Sequence, residues 1–520
     1  MIALGLDYGT TNSLIAIYQH EMSSKNIRRV HKPSFAYDDG EYIRSPKRLL
    51  NNLQDNRLEN VMSCINSCIQ ALLSDLRCKM SEHEHENINL AFTVPNAFKD
   101  NQCDVLKMSI LQSLNDNFNK FDPKSIDLIP EPVAAALYYA HCLKMSQGQI
   151  RGKKYIIVSD MGGGTTDLAV VRMEMKGQDL HFKVVATEHD SYLGGDDVDM
   201  LIAEYLTASY ALTNVDEKNV LSAAQHLKKK LSFNQARGIG NYAESLLLLD
   251  GGCYCRDGRE LEMVLDSNKL SELLSTPSRR HPSGFLRTYT TLLEKLRTDF
   301  IRYLQKEGYK STDMENVFKN NVVLLPVGGS SRLKFIRESF SDAFRSVPVF
   351  NLKTEVCVEG NAEALYDSVV RGAAIYSAYR SGIVSDLCKK IVIENRTYHS
   401  ITVRYSSDKV YTCVQKSMPD DKYTSVFNPK LLSSDGKTFT IGTLEFYQGG
   451  YGNIMDKDCV RLTSVSIDDL IYTHGKQRDQ IRIMLALNVV NGRLDSGSVV
   501  VPNGNKDGSD YEKVLELRRL

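Results

Sequence analysis

The chain lacks an excess of charge of either sign. Its 64 lysine and arginine residues balance 64 aspartate and glutamate residues, so the formal net charge is zero, and no long basic run or tail is present. This balance disfavours nucleic acid as a main partner. The chain also lacks any stretch of about 18 apolar residues, and the N-terminus has no basic region followed by an apolar leader. We therefore expect a cytoplasmic protein with neither a nucleic-acid nor a membrane partner.

The cysteines lack the spacing of a disulfide framework. Their number is odd, at 11, and they are scattered along the chain, which favours a reducing compartment and free thiols. The pairs Cys64/Cys68 and Cys253/Cys255 have no second ligand pair at zinc spacing, so we expect ordinary thiols there rather than metal ligands.

What the chain does contain is a duplicated glycine-rich segment, at residues 5–13 and again at 160–167. In each copy an apolar strand ends in an aspartate, Asp7 or Asp160, turns through glycine and threonine, and continues into a second strand. Glycines let backbone N–H groups approach a phosphate closely, threonine hydroxyls add donors, and each aspartate can hold Mg²⁺ through water. The duplication predicts a nucleotide clamp built from two related lobes.

A third glycine turn, at residues 328–332, follows an apolar strand and leads into a helix. Such a turn can lie flat against a base or ribose while Arg332 stacks on the purine. Any one of the three turns could equally be a tight turn in an α/β sheet. Their order, with a helix opening at Glu131 between the first two, indicates a nucleotide site.

The chain is too long for a single core, so two or more domains are expected. Helical and strand patterns alternate up to about residue 380, whereas later segments are short, β-branched and separated by Asn, Asp and Gly turns. This change predicts an all-β module that begins with the strand 390–394, and the last residues end in one short helical pattern. Helices are predicted at 53–76, 105–118, 131–140, 197–232 and 292–306.

The motifs together resemble the DnaK-type seventy-kilodalton heat-shock chaperones of the actin-like ATPase superfamily. They cover residues 1–380 and comprise the segments 7–13, 47–50, 93–95, 131–136, 160–165, 193–197 and 328–332. The resemblance implies an α/β two-lobed actin-like ATPase domain followed by an all-β sandwich peptide-binding domain. The implied boundaries are 1–186 and 356–380 for lobe I, 187–355 for lobe II, 381–389 for the linker, 390–503 for the sandwich and 504–520 for a short tail.

The resemblance also implies ATP or ADP with Mg²⁺, and K⁺ as a further ion. Asp7 and Asp160 would bind Mg²⁺ through water. Catalytic roles fall on Asp7, Lys47, Glu131, Thr165 and Asp167; Lys47 would neutralise γ-phosphate charge and place the attacking water. Nucleotide contacts fall on Gly9, Thr10, Thr11, Asn12, Gly162, Gly163, Gly164, Thr165 and Gly195, and around the base on Gln225, Lys228, Lys229, Ser232, Gly328, Gly329, Ser330 and Arg332.

Several positions depart from the family pattern. Gln225 stands where an acidic residue is usual, so a ribose hydrogen bond there loses its charge assistance. Cys103 replaces an arginine relay, and a thiol cannot reproduce the donors of a guanidinium. The linker has Lys389 and Lys390 where the family has leucines, which weakens apolar docking. The residues after 503 are too few for the family's helical lid, so we expect a reduced chaperone that releases substrate quickly.

Three functions remain open at this stage. The first is an ATP-dependent chaperone for unfolded or extended peptides, with a J-domain co-chaperone, a nucleotide exchange factor and, in an HscA-like variant, an iron–sulfur scaffold protein as partners. The second is an ATP-binding holdase with weak turnover, suggested by Cys103 and the absent lid. The third is a small-molecule kinase on the same clamp, although nothing after residue 380 suggests a sugar pocket.

Overall fold

The structure is a computed structural model of the whole chain. It describes the following residues: 2–18, 28–34, 36–38, 41–43, 45–52, 58–80, 88–118, 126–147, 150, 152–210, 217–236, 243–247, 262–345, 347, 366–384, 387–394, 401–406, 409–414, 422–427, 443–449, 459–466, 483–490, 493–502 and 511–518. The chain divides into two compact units, one of residues 1–96 and 105–392 and one of residues 97–104 and 393–520.

The first lobe is built on a five-stranded sheet in which an antiparallel hairpin is joined by two parallel strands. The strand order is β3-β2-β1-β6-β7, and β4 pairs separately with β5. The strands are β1 Ile2–Asp7, β2 Asn12–Tyr18, β3 Arg28–Pro33, β4 Ala36–Asp38, β5 Glu41–Ile43, β6 Ile88–Val94 and β7 Ile126–Pro130.

The second lobe repeats this plan in a sheet of order β13-β8-β9-β10-β14. The strands of this part of the chain are β8 Lys153–Met161, β9 Thr166–Lys176, β10 Asp179–Asp190, β11 Ala243–Leu247, β12 Glu262–Asp266, β13 Val322–Val327 and β14 Lys390–Glu394. The predicted duplication is therefore structural: β1 turns back antiparallel into β2, as β8 does into β9, and a parallel strand flanks each first strand. Asp7 and Asp160 occupy corresponding places at the ends of β1 and β8.

The helices surround the two sheets, and ten are described. They are α1 Leu58–Cys78, α2 Asp100–Asn117, α3 Glu131–Gln147, α4 Gly195–Ser209, α5 Glu217–Ala236, α6 Ser267–Ser275, α7 Phe285–Lys306, α8 Met314–Asn321, α9 Lys334–Ala343 and α10 Ser368–Arg380. None of these described helices combines the length and apolar character needed to cross a bilayer.

Helix α10 packs against α3 and the first sheet with backbone touching backbone. A Cβ added to Gly372 would lie 1.8 Å from the carbonyl oxygen of Ala134 in α3. On the sheet side, a Cβ added to Gly5 of β1 would lie 2.3 Å from the carbonyl oxygen of Val370. Only glycine fits at either crossing, because an added Cβ would clash with main-chain atoms. Unlike the end of a flexible side chain, these atoms cannot move aside.

Replacing Gly372 by alanine should therefore lower the free energy of unfolding by about 1 to 3 kcal/mol, because α3 and α10 must move apart. Urea unfolding followed by circular dichroism measures this change. In an uncrowded helix the same substitution stabilises through helix propensity. An unchanged or raised unfolding free energy would therefore contradict the close crossing.

The second unit contains two four-stranded antiparallel sheets, of order β16-β15-β18-β19 and β17-β20-β21-β22. Their strands are β15 Ile401–Ser406, β16 Lys409–Val414, β17 Lys422–Phe427, β18 Thr443–Gln448, β19 Val460–Ser466, β20 Ile483–Val490, β21 Arg493–Pro502 and β22 Tyr511–Arg518. The predicted change of character after residue 380 is thus present as strands without described helices.

The structure departs from the sequence predictions at three places. The predicted helical pattern near the C-terminus is wrong: residues 511–518 form β22, paired antiparallel with β21. The strand 390–394, predicted to open the β module, instead extends the second sheet beside β10. The predicted lobe boundary at 186/187 does not separate the two sheets, because β8, β9 and most of β10 precede it and belong with β13. In each case the choice of partner strand, which composition does not encode, decided the outcome.

The helix boundaries also differ from the predicted ones. Helix α2 begins at Asp100 and α7 at Phe285, earlier than predicted, and the region 197–232 contains two helices, α4 and α5. Cys64 and Cys68 are buried on α1 and are not joined in a disulfide. The pair Cys253/Cys255, residues 53–57 of the first predicted helix and the boundary 355/356 lie outside the described residues.

Candidate functional site

A cavity of about 630 Å³ opens where the three glycine turns meet, bordered by both lobes of the first unit. Twenty of the residues predicted from sequence line it: Asp7, Gly9, Thr10, Thr11, Asn12, Lys47, Glu131, Asp160, Gly162, Gly163, Thr165, Asp167, Gln225, Lys228, Lys229, Ser232, Gly328, Gly329, Ser330 and Arg332. Two others, Gly164 and Gly195, do not line the cavity but support the residues that do. Folding thus gathers a set that is spread over more than 300 positions of the chain.

Several glycines of the turns have no room for a side chain. A Cβ on Gly163 would lie 1.7 Å from Oγ1 of Thr11, so the two duplicated hairpins meet face to face at this point. A Cβ on Gly9 would lie 2.0 Å from the carbonyl oxygen of Asn12. Gly328, in the third turn, has a φ of +81°, a left-handed conformation that favours glycine. Backbone N–H groups in such turns can approach a phosphate closely.

One part of the cavity concentrates acidic groups around a single lysine. Lys47 and Glu131 are buried, and Lys47 Nζ lies 3.1 Å from Oε1 of Glu131. Three aspartates share this region: Asp7, which accepts a hydrogen bond of 3.0 Å from Thr93, Asp167, which accepts one of 3.4 Å from Thr165, and Asp160.

The protonation equilibria reflect this crowding. Burial, reinforced by the neighbouring charges of Asp7 and Asp167, raises the pKa of Asp160 to about 8. Burial also raises the pKa of Asp7, of Asp167 and, most strongly, of Glu131, although the charge of Lys47 opposes the shift in all three. Burial by itself would lower the pKa of Lys47, but Glu131 and Asp7 outweigh it and the pKa is raised. Four carboxyl groups facing one ammonium group favour a bound cation.

The donor set fits a hydrated Mg²⁺ ion. Hard carboxylate oxygens are the ligands that Mg²⁺ prefers, and it usually keeps several waters and takes only one or two carboxylates. Within the described residues no three His, Cys, Asp or Glu side chains lie close enough together to hold a metal ion directly. Asp7 and Asp160, at the ends of the two equivalent strands, could therefore hold the ion through its water shell.

Helix α4 begins against the second glycine turn. The N–H groups of Gly195 and Asp196 donate to the carbonyl oxygens of Gly162 (3.0 Å) and Gly163 (2.6 Å). The carboxylate of Asp197 accepts the N–H of Gly194 at 3.0 Å and closes the start of the helix. The motif 193–197 thus fixes the shape of the second glycine turn. Of its residues, Asp196 lines the cavity.

The residues predicted to surround the base are largely bonded within the protein. Lys228 Nζ lies 2.8 Å from Oδ1 of Asp199 and donates to the carbonyl oxygen of Gly195 at 2.6 Å. The hydroxyl of Ser330 donates to the carbonyl oxygen of Gly162 at 2.7 Å, and that of Ser232 donates to the carbonyl oxygen of Lys228 at 2.8 Å. Lys228 thus joins α5 to α4, Ser330 joins the third turn to the second, and the Ser232 bond lies within α5.

Sequence reasoning missed several cavity residues, among them Asp196, His31 and Tyr366. Asp196 accepts hydrogen bonds from the hydroxyl of Thr11 at 3.3 and 3.4 Å, across the lobes. It lies inside a quoted motif, so its acidic side chain was a usable signal. His31 and Tyr366 belong to no motif, and nothing in the sequence pairs them.

Comparison with known proteins agrees with this geometry. The family described as Hsp70 protein matches residues 69–489, most of the chain. The chain belongs to the Hsp70 family. Proteins of this family are chaperones with an ATPase domain that binds ATP or ADP with Mg²⁺, and the paired α/β sheets of the first unit fit that domain.

Individual relatives of this Hsp70-family chain are distant. A heat shock protein homolog of Encephalitozoon cuniculi is 26% identical over 290 residues, 55% of this chain and 41% of the relative. Chaperone protein HscA homologs of Rickettsia felis and Rickettsia akari are 28% identical over 263 residues and 26% identical over 278 residues. These two alignments cover 45% and 48% of this chain, and 39% and 44% of the relatives. The match therefore spans about two fifths of each relative's length.

Proposed function

We propose that this chain is an ATP-dependent molecular chaperone in which hydrolysis of Mg²⁺-ATP in the two-lobed unit controls the binding of unfolded or extended polypeptides. The observation that carries the proposal is the cavity itself, where three closely packed glycine turns face a carboxylate cluster centred on Lys47. Phosphoryl transfer to water needs positioning and charge compensation more than covalent participation by the protein, and these residues are suited to that task.

The parts of the cavity divide the work. The N–H groups of the turns at Gly9 and Gly163, with the hydroxyls of Thr10, Thr11 and Thr165, bind the phosphate oxygens. Asp7 and Asp160 orient the water shell of the metal. Mg²⁺, when bound, neutralises charge on the β- and γ-phosphates.

Lys47 is placed to stabilise the developing charge. Its ammonium group is oriented by Glu131 at 3.1 Å, which keeps it directed into the cavity. A fixed cation inside a water-excluded site stabilises charge more strongly than a cation in water. Glu131 and Asp167 orient the attacking water. Burial raises the pKa of both carboxyl groups, so the ionised form of either is a stronger proton acceptor than a carboxylate in water.

We place peptide binding in the second unit, as a β-sandwich formed by its two four-stranded sheets. An extended peptide can add main-chain hydrogen bonds to strand edges, while apolar pockets select its side chains. A J-domain co-chaperone and a nucleotide exchange factor are the partners proposed for the cycle. Two of the relatives are HscA homologs, and for an HscA-like variant we propose an iron–sulfur scaffold protein as the client.

ATP turnover and fluorescence-detected peptide binding test the proposal together. We expect Mg²⁺-dependent turnover, with peptide released faster in ATP than in ADP. A protein that binds peptide with the same affinity in both nucleotides would contradict the coupling. Binding of a scaffold protein without affinity for generic unfolded peptides would support the iron–sulfur specialisation, and the reverse result would exclude it.

Cys103 favours the second candidate, a holdase in which ATP and client bind independently. If the thiol has interrupted the relay, Cys103→Arg should increase peptide stimulation of ATP turnover about fivefold, the lower end of usual coupling energies. Cys78→Arg, at an exposed cysteine on α1, adds the same charge elsewhere and should leave stimulation at the parent level. Strong stimulation in the parent protein would exclude the holdase.

A further inference from the structure

Tyr366 reaches from the first lobe to the third glycine turn of the second. It lies two residues before α10, which packs against β1 and α3 of the first lobe. A Cβ on Gly329 would lie 3.5 Å from the Tyr366 ring, and the guanidinium carbon of Arg332 lies 5.3 Å from the ring centroid. Tyr366 therefore forms a contact between the lobes by covering the turn and facing the arginine.

His31 holds the other end of this tyrosine. The hydroxyl of Tyr366 and Nε2 of His31 are 2.9 Å apart, a hydrogen-bond distance, and the two rings meet edge to face with centroids 5.7 Å apart. His31 lies on β3 and pairs in register with Leu14 of β2, directly after the first glycine turn. His31 thus holds the Tyr366 ring in place against Arg332 of the second lobe.

All three side chains line the cavity. They connect the first glycine turn, through His31, to the third, through Arg332. Separation of the lobes around a ligand held between these turns would break this contact. A tyrosine ring attracts a cation stacked on it, more strongly where the pair is shielded from water, and the hydrogen bond to His31 adds to this stabilisation.

We propose that His31, Tyr366 and Arg332 form an interlobe clasp that slows nucleotide release, with His31 and Tyr366 acting as positioning residues for Arg332. The inference rests on the proposed nucleotide site. His31 and Tyr366, which belong to no recognised motif, would then control how long the nucleotide stays bound. While the guanidinium of Arg332 is stacked on Tyr366, the two lobes are joined beside the cavity. Separation of the lobes, and with it release of the nucleotide, is then slowed.

Stopped-flow displacement of a fluorescent ADP from the full chain, with Mg²⁺ present, measures the release rate. Tyr366→Leu removes the ring and the hydroxyl and should speed release about tenfold, within the range of a lost cation–π contact and hydrogen bond. Tyr366→Phe removes the hydrogen bond and should speed release about threefold, and His31→Ala, which also removes the edge-to-face contact, should do so at least as strongly. The double variant should release ADP no faster than His31→Ala alone, since both substitutions remove the same bond.

The background of Arg332→Ala distinguishes a clasp from a general loss of structure. In that background Tyr366→Leu should cause no further acceleration, because its partner is already gone, whereas Arg332→Lys should retain part of the slow release through its cation. Tyr205→Leu is the matched control, since Lys269 Nζ lies 5.0 Å from the Tyr205 ring and neither residue lines the cavity. This variant should release ADP at the parent rate.

Additive effects of Tyr366→Leu and Arg332→Ala, or equal acceleration by Tyr366→Leu and Tyr205→Leu, would overturn the clasp while leaving the nucleotide site intact. A parent protein that binds no ADP under the same conditions would overturn the proposed function, and the clasp with it. Slow release in the parent that is lost only in the clasp variants, and lost non-additively, would establish both.

Discussion

Replacing Lys47 by alanine is expected to reduce the rate of ATP hydrolysis by about 10²- to 10³-fold, the usual effect of removing one preorganised group that stabilises transition-state charge. The lysine is buried, 3.1 Å from Glu131, and its positive charge acts on all four carboxyl groups of this part of the cavity. Single-turnover hydrolysis of ATP in the presence of Mg²⁺ measures the effect. Affinity for ADP should change much less, because ADP lacks the γ-phosphate.

Loss of Lys47 also leaves Glu131 buried without its partner, which can destabilise the fold. The double variant Lys47→Ala with Glu131→Gln removes that burden and should regain stability without regaining hydrolysis. Lys32→Ala is a suitable control, because Lys32 forms a 2.8 Å ion pair with Asp75 in the same lobe but does not line the cavity. Hydrolysis by Lys47→Ala within twofold of the parent would contradict the assigned role.

The second large effect concerns Asp160, whose pKa burial raises from 3.8 to about 8. At a pH below the pKa of the unfolded state, the carboxyl group is protonated in both states, so its raised pKa in the folded state has no effect on stability there. As the pH rises from about 4 to about 8, the unfolded state loses its proton first and the folded state becomes relatively less stable. Asp160→Asn cannot lose a proton, so its advantage in unfolding free energy should grow across this window to a few kcal/mol.

Thermal unfolding of parent and variant at a series of pH values, without nucleotide or metal, measures this difference. Addition of Mg²⁺ and ADP should reverse the order, because a ligand that binds only the folded state stabilises it and the variant lacks the carboxylate proposed to orient the metal's water shell. Asp299→Asn, at a half-exposed ion pair on α7, should show neither effect. A constant difference between parent and Asp160→Asn from pH 4 to 8 would show that the carboxyl is not perturbed.

Local patterns predicted much of the first unit. The hairpins β1–β2 and β8–β9 were recognisable because each strand is apolar, each turn is rich in glycine and threonine, and the two copies support one another. The helix opening at Glu131 was equally clear, since its proline stands at a permitted position in the first turn. These features need only neighbouring residues to form.

The pairing of strands could not be predicted from local patterns in the same way. The segment 511–518 mixes charged and apolar residues in an order that fits a helical as well as an alternating pattern, and its hydrogen bonds to β21 made it a strand. The segment 390–394 was correctly predicted as a strand but assigned to the wrong sheet. A strand can be recognised from its own residues, whereas its neighbour depends on which edge lies within reach.

The sequence by itself determined that this protein has a duplicated glycine-turn clamp and Hsp70-type motifs, because glycine turns, leading aspartates and strand periodicity are written in short continuous segments. Only the tertiary structure decided that Arg48 donates to the carbonyl oxygen of Gly164 at 3.2 Å, that Asp196 meets Thr11 across the lobes, and that Tyr366 contacts His31, 335 positions away. Such pairs leave no periodic trace in the chain, since their proximity follows from the packing of two separately formed sheets.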